Sequence, residues 1–391
     1  MSAKTPRPAS PQPLTSATAA LNAWIEVDLD AITDNLQALR SAIGAPEIFA
    51  VVKANAYGHG AALVAPALES AGVERFAVVS VGEAIALRAA GVTRPVLILG
   101  HSFPADAGAA IAHDLALTVD SRALAEALAT AAAEAPGSTA RAHVKVDTGL
   151  HRFGLAPAEA VRLAERIHAL PGVTLEGFWT HVANADEGDD TFSADQAATF
   201  EAALARLGPV PLRHAANTST ALRRPELRYD AVRLGLGLYG ILPDNTPGPR
   251  LTPLLCLKAR LARVSDIARG EGVSYGLTWR AQRRSRIALV PVGYADGWPR
   301  SLGNRGQVLV GGRRCAIIGR VCMDHFVVDV TDVPAAVAGD EAVLIGTQRD
   351  DSISVNEVAT AAETISWDIL ASLGTRLPRL AHRAGLLEGT G

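Results

Sequence analysis

The middle of this chain alternates short apolar segments with Ala-rich amphipathic segments, and this alternation limits its possible folds more than any other feature. The apolar segments predict strands at 48–52, 76–81, 96–99, 115–119, 142–146, 174–180, 211–215 and 231–236. Helical segments follow most of them, including 83–90, 122–133, 157–170 and 194–207. Such strand–helix repeats, ending near residue 240, predict a (β/α)8 barrel. A doubly wound parallel sheet is the alternative, because alternation alone does not show that a sheet closes.

The pattern changes after Pro243. Residues 245–253 are rich in proline and glycine, which indicates a linker. Beyond it, short apolar segments separated by turn residues predict strands at 287–291, 307–310, 316–318, 326–330 and 342–345. We therefore predict a disordered extension over 1–22, a barrel over 23–245 and a mostly β C-terminal domain over 254–391.

The composition indicates which kinds of partner and which cellular compartment fit this chain. The chain has 37 Lys+Arg against 40 Asp+Glu, a net charge of −3 and no basic block, so nucleic acid and anionic membranes are poor candidate partners. The N-terminal extension lacks the apolar segment of a signal peptide, and no segment approaches the roughly 20 apolar residues of a membrane helix. The three cysteines and ten histidines show no metal-ligand spacing and no disulfide framework, which predicts a cytoplasmic protein without a metal.

The most chemically informative segment is Lys53-Ala-Asn-Ala-Tyr-Gly-His-Gly60, directly after the first predicted strand. A lysine at the end of a strand that is buried on both faces holds its ammonium in or beside the core, which is costly without a partner. Desolvation lowers the pKa of such an amine and makes it a nucleophile that can form a Schiff base. An isolated lysine would more often extend to water, so other parts of the chain have to decide between a Schiff-base lysine and an ordinary solvated one.

Other polar residues also lie where predicted strands end, which is where barrels carry their reactive groups. They are Lys53 and Tyr57, then Lys145, Asp147 and Arg152, then His181, then Asn217, Thr218 and Ser219, and finally Arg233 with Gly235. Each has an ordinary explanation, such as a helix cap, but their joint occurrence favours an active site. The G-x-G-x-x-G string at 235–240 is not a dinucleotide site, because the proline-containing segment after it cannot form the required helix.

The chain resembles the alanine racemase family over about residues 23–380. The motifs that carry the resemblance follow one another in family order. They are Trp24-Ile-Glu-Val-Asp-Leu-Asp-Ala31, the lysine segment at 53–60, Lys145-Val-Asp-Thr-Gly149, His214-Ala-Ala-Asn-Thr-Ser219, Val232-Arg-Leu-Gly235, Ser274-Tyr-Gly276, Val292-Gly-Tyr-Ala-Asp-Gly297 and Gly319-Arg-Val-Cys-Met-Asp324. This resemblance implies a barrel followed by a β domain. It also implies an isomerase that uses pyridoxal 5'-phosphate to interconvert L-alanine and D-alanine, which supplies D-alanine for peptidoglycan.

The resemblance also implies residue roles. Lys53 would carry the cofactor as a Schiff base and act as the base for D-alanine, while Tyr275 would act on L-alanine. In the family this tyrosine comes from the partner subunit, which implies a head-to-tail homodimer with shared active sites. The remaining positions would be cofactor contacts at Tyr57, Arg152, His181, Asn217, Thr218, Arg233, Gly235 and Leu236, substrate contacts at Arg152 and Met323, a substrate access path at Asp186, Tyr294, Arg300 and Arg320, and Lys145 as a lysine that some members carry as a carbamate.

Physical chemistry gives some of these residues roles in such a site. Thr218 and the backbone N–H groups of Gly235 and Leu236 could bind a phosphate, with the phenol of Tyr57 as a further donor. Arg233 at the pyridine nitrogen would leave that nitrogen unprotonated, because a guanidinium (pKa above roughly 12) does not accept a proton. The weaker electron sink favours brief removal and return of one proton over transamination.

Racemisation needs a second base on the opposite face of the substrate. A phenol can serve if its pKa is lowered from about 10 towards the operating pH. Residues 1–240 offer no obvious candidate, whereas Tyr275 lies in a Gly-rich loop at 270–276. A buried structural tyrosine is the alternative for this residue.

Two other functions stay open from the sequence. The first is a broader-specificity amino-acid racemase, against which Asn55 and the alanine-type motifs argue. The second is a non-enzymatic carrier that binds pyridoxal phosphate, which would need neither Tyr275 nor the C-terminal domain. A decarboxylase would more naturally place a carboxylate at the pyridine nitrogen, where we place Arg233.

Overall fold

A computed structural model describes residues 18, 20–187, 189, 191–243, 245–383 and 386–388. Contacts divide the chain into two compact units. The first, which we call the barrel unit, comprises residues 31–56 and 60–253, and the second, the β unit, comprises residues up to 30, 57–59 and from 254 on. Most of the predicted disordered extension lies outside the described residues. Within the described part of the chain, no helix is both long enough and apolar enough to cross a membrane.

Eight parallel strands form the sheet of the barrel unit. In chain order they are Glu47–Val51, Arg75–Val78, Val96–Ile98, Leu115–Val119, Ala140–Lys145, Val173–Trp179, Leu212–His214 and Ala231–Leu234. Each of the first six pairs with the next, and the eighth pairs with the first. Between the seventh and eighth there are two backbone hydrogen bonds, from Asp230 to Arg213 and from Arg233 to Ala216. The nearly closed sheet confirms the predicted barrel and excludes the doubly wound alternative.

Helices cover the outside of this sheet, so most strand residues are buried on both faces. The helices are Leu29–Ile43, Ala61–Ser70, Val81–Ala89, Ala107–Ala112, Arg122–Glu134, Pro157–His168, Thr191–Leu204 and Thr218–Arg223. Several begin at side chains that accept a backbone hydrogen bond at the N-cap, including Ser80, Ser121 and Asn217. These caps end the strand-to-helix loops and so bring the polar residues of those loops to one edge of the barrel.

The β unit contains an eleven-stranded sheet and two short helices, Val355–Ala362 and Ser366–Ser372. Its strands are Ala23–Asp28, Leu255–Arg260, Arg263–Ile267, Ser285–Val290, Gln307–Val310, Arg313–Ile318, Phe326–Asp329, Glu341–Gln348, Asp351–Ile353, Arg379–Arg383 and Leu386–Glu388. This confirms a mostly β C-terminal architecture.

The boundary predicted at residue 23 differs from the structure. The strand Ala23–Asp28 lies in the β unit, antiparallel to Leu255–Arg260 and parallel to Arg379–Arg383. Trp24, Ile25 and Val27 are buried there, so this N-terminal segment finds its apolar environment beside strands more than 200 residues away. The division into 23–245 and 254–391 otherwise remains a prediction.

Candidate active site

The first barrel strand leads into a left-handed turn that begins at Lys53. Ala54, Asn55 and Ala56 have φ of 51 to 54° and ψ of 48 to 50°, and Tyr57 continues with φ 52°. This conformation costs roughly 1–2 kcal/mol for each residue with a Cβ. Hydrogen bonds maintain it, because the carboxylate of Glu83 accepts from the backbone of Ala54 at 2.7 Å and of Val79 at 2.8 Å. Backbone strain of this kind is typical of functional sites.

We expect glycine at position 54 to be tolerated, unlike glycine in an ordinary helix. Ala54→Gly removes the Cβ penalty of the left-handed turn, which offsets the greater entropy of glycine in the unfolded chain, so the free energy of unfolding should stay unchanged or rise by up to about 1 kcal/mol. The control Ala127→Gly, in the right-handed helix Arg122–Glu134, should lower it by about 1 kcal/mol. Urea unfolding followed by circular dichroism measures both, and equal losses would contradict the expectation.

Lys53 belongs to a group of four cations in the barrel unit, with Lys145, Arg152 and Arg233. Burial, followed by the charge of Arg152, lowers the pKa of Lys53, while Glu83 opposes the shift. The same two causes lower the pKa of Lys145 to about 8 and that of Arg233 to about 9. Because these cations act on one another with few carboxylates nearby, the group has an excess of positive charge that suits an anionic ligand.

Lys145 is a buried residue at the end of the fifth barrel strand. Its ammonium nitrogen donates to the backbone oxygen of Phe153 and lies 3.9 Å from the centroid of that ring and 5.3 Å from that of Trp179. The loop beyond it folds back, because the backbone N–H of Leu155 donates to Lys145 at 3.0 Å and the backbone oxygen of Leu155 accepts from Asp147 at 2.8 Å. Arg152 lies within that loop and is exposed.

Arg233, on the eighth strand, is buried and donates through both terminal nitrogens. Its partners are the Nδ1 atoms of His214 at 2.8 Å and His181 at 3.0 Å, with the backbone oxygens of His214, Thr180 and Ala215. Among the described residues, its Nε has no hydrogen-bond partner. Burial, followed by the charge of Arg233, lowers the pKa of both histidines well below the usual value, so both are neutral. Because arginine only donates, each histidine accepts at Nδ1 and carries its proton on Nε2.

Thr218 and Gly235 join the loops after the seventh and eighth strands. The hydroxyl oxygen of Thr218 accepts from the backbone N–H of Gly235 at 3.1 Å, which leaves its own O–H able to donate. A single-turn 3-10 helix begins at Leu236, whose N–H has no partner within that helix. Gly237 is required for this packing, since a Cβ there would lie 2.7 Å from Cγ2 of Thr218. Asn217 is already used as a helix cap, accepting from the N–H of Thr220.

In the β unit, three loops bring Tyr275, Tyr294, Arg320 and Met323 into one region. Ser274 Oγ donates to the backbone oxygen of Arg320 at 2.7 Å, and the guanidinium of Arg320 lies where a Cβ on Gly276 would make contact at 3.2 Å. Tyr294 and Ala295 donate backbone hydrogen bonds to Cys322 and Met323. The side chain of Tyr275 is 72% exposed.

Sequence comparison identifies relatives of the chain. The family profile of the alanine racemase N-terminal domain matches residues 27–243, and that of the alanine racemase C-terminal domain matches residues 254–381. The chain belongs to the alanine racemase family. An alanine racemase of Symbiobacterium thermophilum is 43% identical to it over 364 residues, covering 91% of this chain and 96% of that relative.

Solved structures of this family and of a related racemase have the same fold. The alanine racemase from Bacillus anthracis with bound L-Ala-P superimposes with a TM-score of 0.86 at 37% identity, covering 94% of this chain and 96% of that chain. The histidine racemase from Leuconostoc mesenteroides superimposes with a TM-score of 0.86 at 30% identity, covering 93% and 99%.

The structure places the residues predicted for an alanine racemase site in both units. The barrel unit brings together Lys53, Lys145, Arg152, His181 and Arg233, and the Thr218–Gly235 pair lies at the ends of the last two barrel strands. Asp186 follows the sixth strand and accepts from Asn245 through its backbone oxygen. Tyr57 is buried in the β unit, which raises the pKa of its phenol, and Arg300 is exposed at the start of the short helix Arg300–Leu302. Their individual roles stay predictions.

Sequence reasoning missed two groups of residues in the barrel unit. Glu83 maintains the turn after Lys53, but a carboxylate in the first turn of a helix is too common to draw notice. His214 holds Arg233, and its polar character within an apolar strand was a signal that could have identified it. The same signal marks His143 and Glu176, which lie on neighbouring strands.

Proposed function

We propose that this protein is a pyridoxal-phosphate-dependent alanine racemase, an isomerase that interconverts L-alanine and D-alanine. The observation that carries the proposal is the group of four cations around Lys53, because a lysine with a lowered pKa beside excess positive charge suits a cofactor that is both an aldehyde and a phosphate. Membership of the alanine racemase family supports the same reaction.

The residues present in the barrel unit fit this cofactor. Thr218 and Leu236 offer an O–H and a backbone N–H to a phosphate, and Gly235, whose own N–H donates to Thr218, lets the backbone approach closely. Asn217 and, from the β unit, Tyr57 would be further contacts. Among the described residues the hydrogen bonds of Arg233 all run through its terminal nitrogens, so its Nε–H is suited to the ring nitrogen. Arg152 and His181 would complete the contacts to the ring and its phenolic oxygen. When bound, the cofactor supplies the electron sink that makes the α-proton of alanine acidic.

The chain's own residues then hold, orient and move the proton. Lys53 Nζ, with a lowered pKa, removes the α-proton of D-alanine, and Tyr275 Oη donates a proton on the opposite face to give L-alanine. In the other direction Tyr275 Oη removes the α-proton of L-alanine and Lys53 Nζ donates one on its own face. Arg152 and the backbone N–H of Met323 bind the substrate carboxylate. Arg233 remains protonated at neutral pH, so it can donate a hydrogen bond to the ring nitrogen but cannot accept a proton from it.

We further propose that the active form is a head-to-tail homodimer in which each subunit supplies Tyr275 to its partner. Tyr275, Met323 and Tyr294 are 72%, 53% and 44% exposed, an unusual cluster of large side chains on the surface of one chain, and a second copy would cover them. Asp186, Tyr294, Arg300 and Arg320 would line the substrate access path. Such an enzyme would act in the cytoplasm and supply D-alanine for peptidoglycan.

Lys145 is expected to react with CO2 to form a carbamate. Only the neutral amine attacks CO2, and the new carbamate releases one proton to solvent; a pKa of about 8 leaves roughly a tenth of the amine neutral at pH 7. The product carries a negative charge that Arg152 can bind, which relieves the repulsion between these residues. Carbon-13 NMR of protein equilibrated with labelled bicarbonate should show one carbamate signal that Lys145→Met abolishes and Lys258→Arg retains; a signal that persists in Lys145→Met would contradict this.

The test of the function is a visible absorption spectrum of the purified protein, followed by chiral chromatography of L-alanine after incubation. A cofactor band together with D-alanine would support the proposal. A band without D-alanine would reject alanine racemisation and leave a carrier or a racemase of other amino acids. No band after addition of the cofactor would reject the whole proposal.

A broader-specificity racemase is the second candidate, favoured by the structural similarity to a histidine racemase at 30% identity. The same chromatographic test with L-serine and L-histidine distinguishes the two. Rates within about tenfold of the alanine rate, roughly 1.4 kcal/mol in transition-state binding, would favour this candidate.

A further inference from the structure

A line of hydrogen-bonded side chains runs through the interior of the barrel and ends at Arg233. Arg233 Nη1 lies 2.8 Å from His214 Nδ1, and His214 Nε2 lies 3.0 Å from His143 Nδ1. His143 Nε2 lies 3.0 Å from Glu176 Oε2, and the other oxygen of Glu176 accepts from Arg75 at 2.8 Å. Barrel interiors are usually filled with branched apolar side chains, so a line of buried polar groups needs a specific reason.

The charges at the two ends of this line determine its direction. Arg233 only donates, so His214 accepts at Nδ1 and donates from Nε2. His143 therefore accepts at Nδ1 and donates from Nε2 to Glu176. Burial alone would raise the pKa of Glu176, but the hydrogen bond from His143 and the charge of Arg75 lower it to about 2, so the carboxylate is ionised and only accepts. Burial lowers the pKa of His143, which keeps that ring neutral.

Packing leaves the rings little freedom to move. His214 stacks on Trp179 with ring centroids 5.5 Å apart and an interplanar angle of 9°, and its other neighbour Phe49 lies at 5.1 Å. His143 fills the space of a missing side chain, because a Cβ on Gly177 would lie 2.0 Å from its Nδ1. With both rings held in place, only the ring nitrogen that carries the proton can differ. A proton on Nε2 of both His143 and His214 is the one arrangement that satisfies every hydrogen bond in the line.

We propose that His143 and Glu176 are positioning residues for Arg233. Together they hold the proton of His214 on Nε2, so that Nδ1 of His214 always accepts from the guanidinium of Arg233. The two terminal nitrogens of Arg233 are thereby committed to the barrel, and its Nε–H is left for the ring nitrogen of the cofactor. This last step rests on the proposed function, whereas the proton arrangement is a property of the chain itself.

The line also explains how a fixed arginine restricts the reaction. If Arg233 shifted, the ring nitrogen could take a proton from solvent, the electron sink would strengthen and transamination would compete. In that side reaction, alanine and the aldehyde form of the cofactor give pyruvate and the amine form of the cofactor. The ratio of pyruvate to racemised alanine therefore reports on the position of Arg233. If His143 only stabilised the fold, replacing it would leave this ratio unchanged.

The first measurement is nitrogen-15 NMR of the full-length protein labelled in histidine, since ring nitrogens with and without a proton differ widely in chemical shift. At neutral pH, His143 and His214 should each show a proton on Nε2 alone. His143→Leu removes the acceptor of His214, so a form with the proton on Nδ1 should appear. His143→Asn can supply an amide oxygen near the Nδ1 position and should retain the wild-type pattern.

The second measurement is pyruvate release during incubation with alanine. The ratio of pyruvate to racemised alanine should rise about tenfold in His143→Leu, the scale expected when a catalytic group is displaced by less than an ångström, and stay near wild type in His143→Asn. Thr118→Val is the matched control, because Thr118 is the register partner of His143 on the next strand and also loses a buried hydrogen bond, to Ile98. It should change neither readout.

A charged histidine or an Nδ1 proton on either ring of the wild-type protein would overturn the proposal, and this measurement does not depend on any variant folding. An unchanged His214 pattern in His143→Leu, or an unchanged pyruvate ratio, would also overturn it, as would equal effects of Thr118→Val. Failure of the wild-type protein to racemise alanine would instead reject the proposed function, and the NMR result would still decide the proton arrangement.

Discussion

Lys53→Ala is expected to abolish both the visible absorption of the bound cofactor and the racemisation of alanine. The chain has four lysines, of which Lys53 ends the first barrel strand beside Arg152 and Glu83, so it is the amine suited to hold the cofactor and exchange the α-proton. Loss of one acid–base group alone lowers a rate by about 10²–10⁴-fold, and losing the covalent attachment as well should bring turnover below detection.

Two further measurements make this result specific. After borohydride reduction of the wild-type protein, peptide mass spectrometry should find the cofactor on Lys53. The control Lys258→Arg changes a lysine of the β unit that pairs with Glu26 and Glu341, and should keep both absorbance and turnover. Cofactor found on Lys145, or turnover retained by Lys53→Ala, would remove Lys53 from the mechanism.

Tyr275→Phe should lower racemisation by about 10²-fold or more while leaving the cofactor's absorbance intact. The change removes only the hydroxyl of a side chain that is 72% exposed, so folding should be unaffected. Because the two enantiomers of alanine have equal free energy, kcat/KM must fall by the same factor in both directions. The directional role of Tyr275 therefore has to be read from isotope effects.

With α-deuterated substrates, the variant should show a larger isotope effect from L-alanine than from D-alanine, because removal of the L-proton has become slow. Tyr229→Phe is the control, since this tyrosine packs against Phe200 in the barrel unit and has no proposed role in the reaction. A near-normal rate in Tyr275→Phe, or equal isotope effects in both directions, would contradict the assignment of Tyr275 as the base for L-alanine.

Much of the fold could be predicted because the succession of apolar and polar residues along the chain indicates which segments are buried. Parallel barrel strands are covered on both faces, so segments such as Leu115–Val119 are apolar at all but one position, and this strand was predicted with the bounds that the structure has. The strand Ala23–Asp28 was missed as part of the β unit, because its neighbours lie far along the chain and no local pattern indicates which sheet it joins. The left-handed turn at 54–56 has no local signal either, since neither alanine nor asparagine requires it.

The sequence by itself determined the alternation of strands and helices, the β architecture that follows and the family, together with the candidate residues at the strand ends, because these depend on residue types at fixed spacing. Only the tertiary structure decided which polar groups meet inside the barrel. His143, His214, Glu176 and Arg233 lie on four different strands, and their order of donation follows from distances that appear only when the sheet nearly closes. The physical reason is that periodicity reports whether a residue is buried, while closure of the sheet decides what it is buried against.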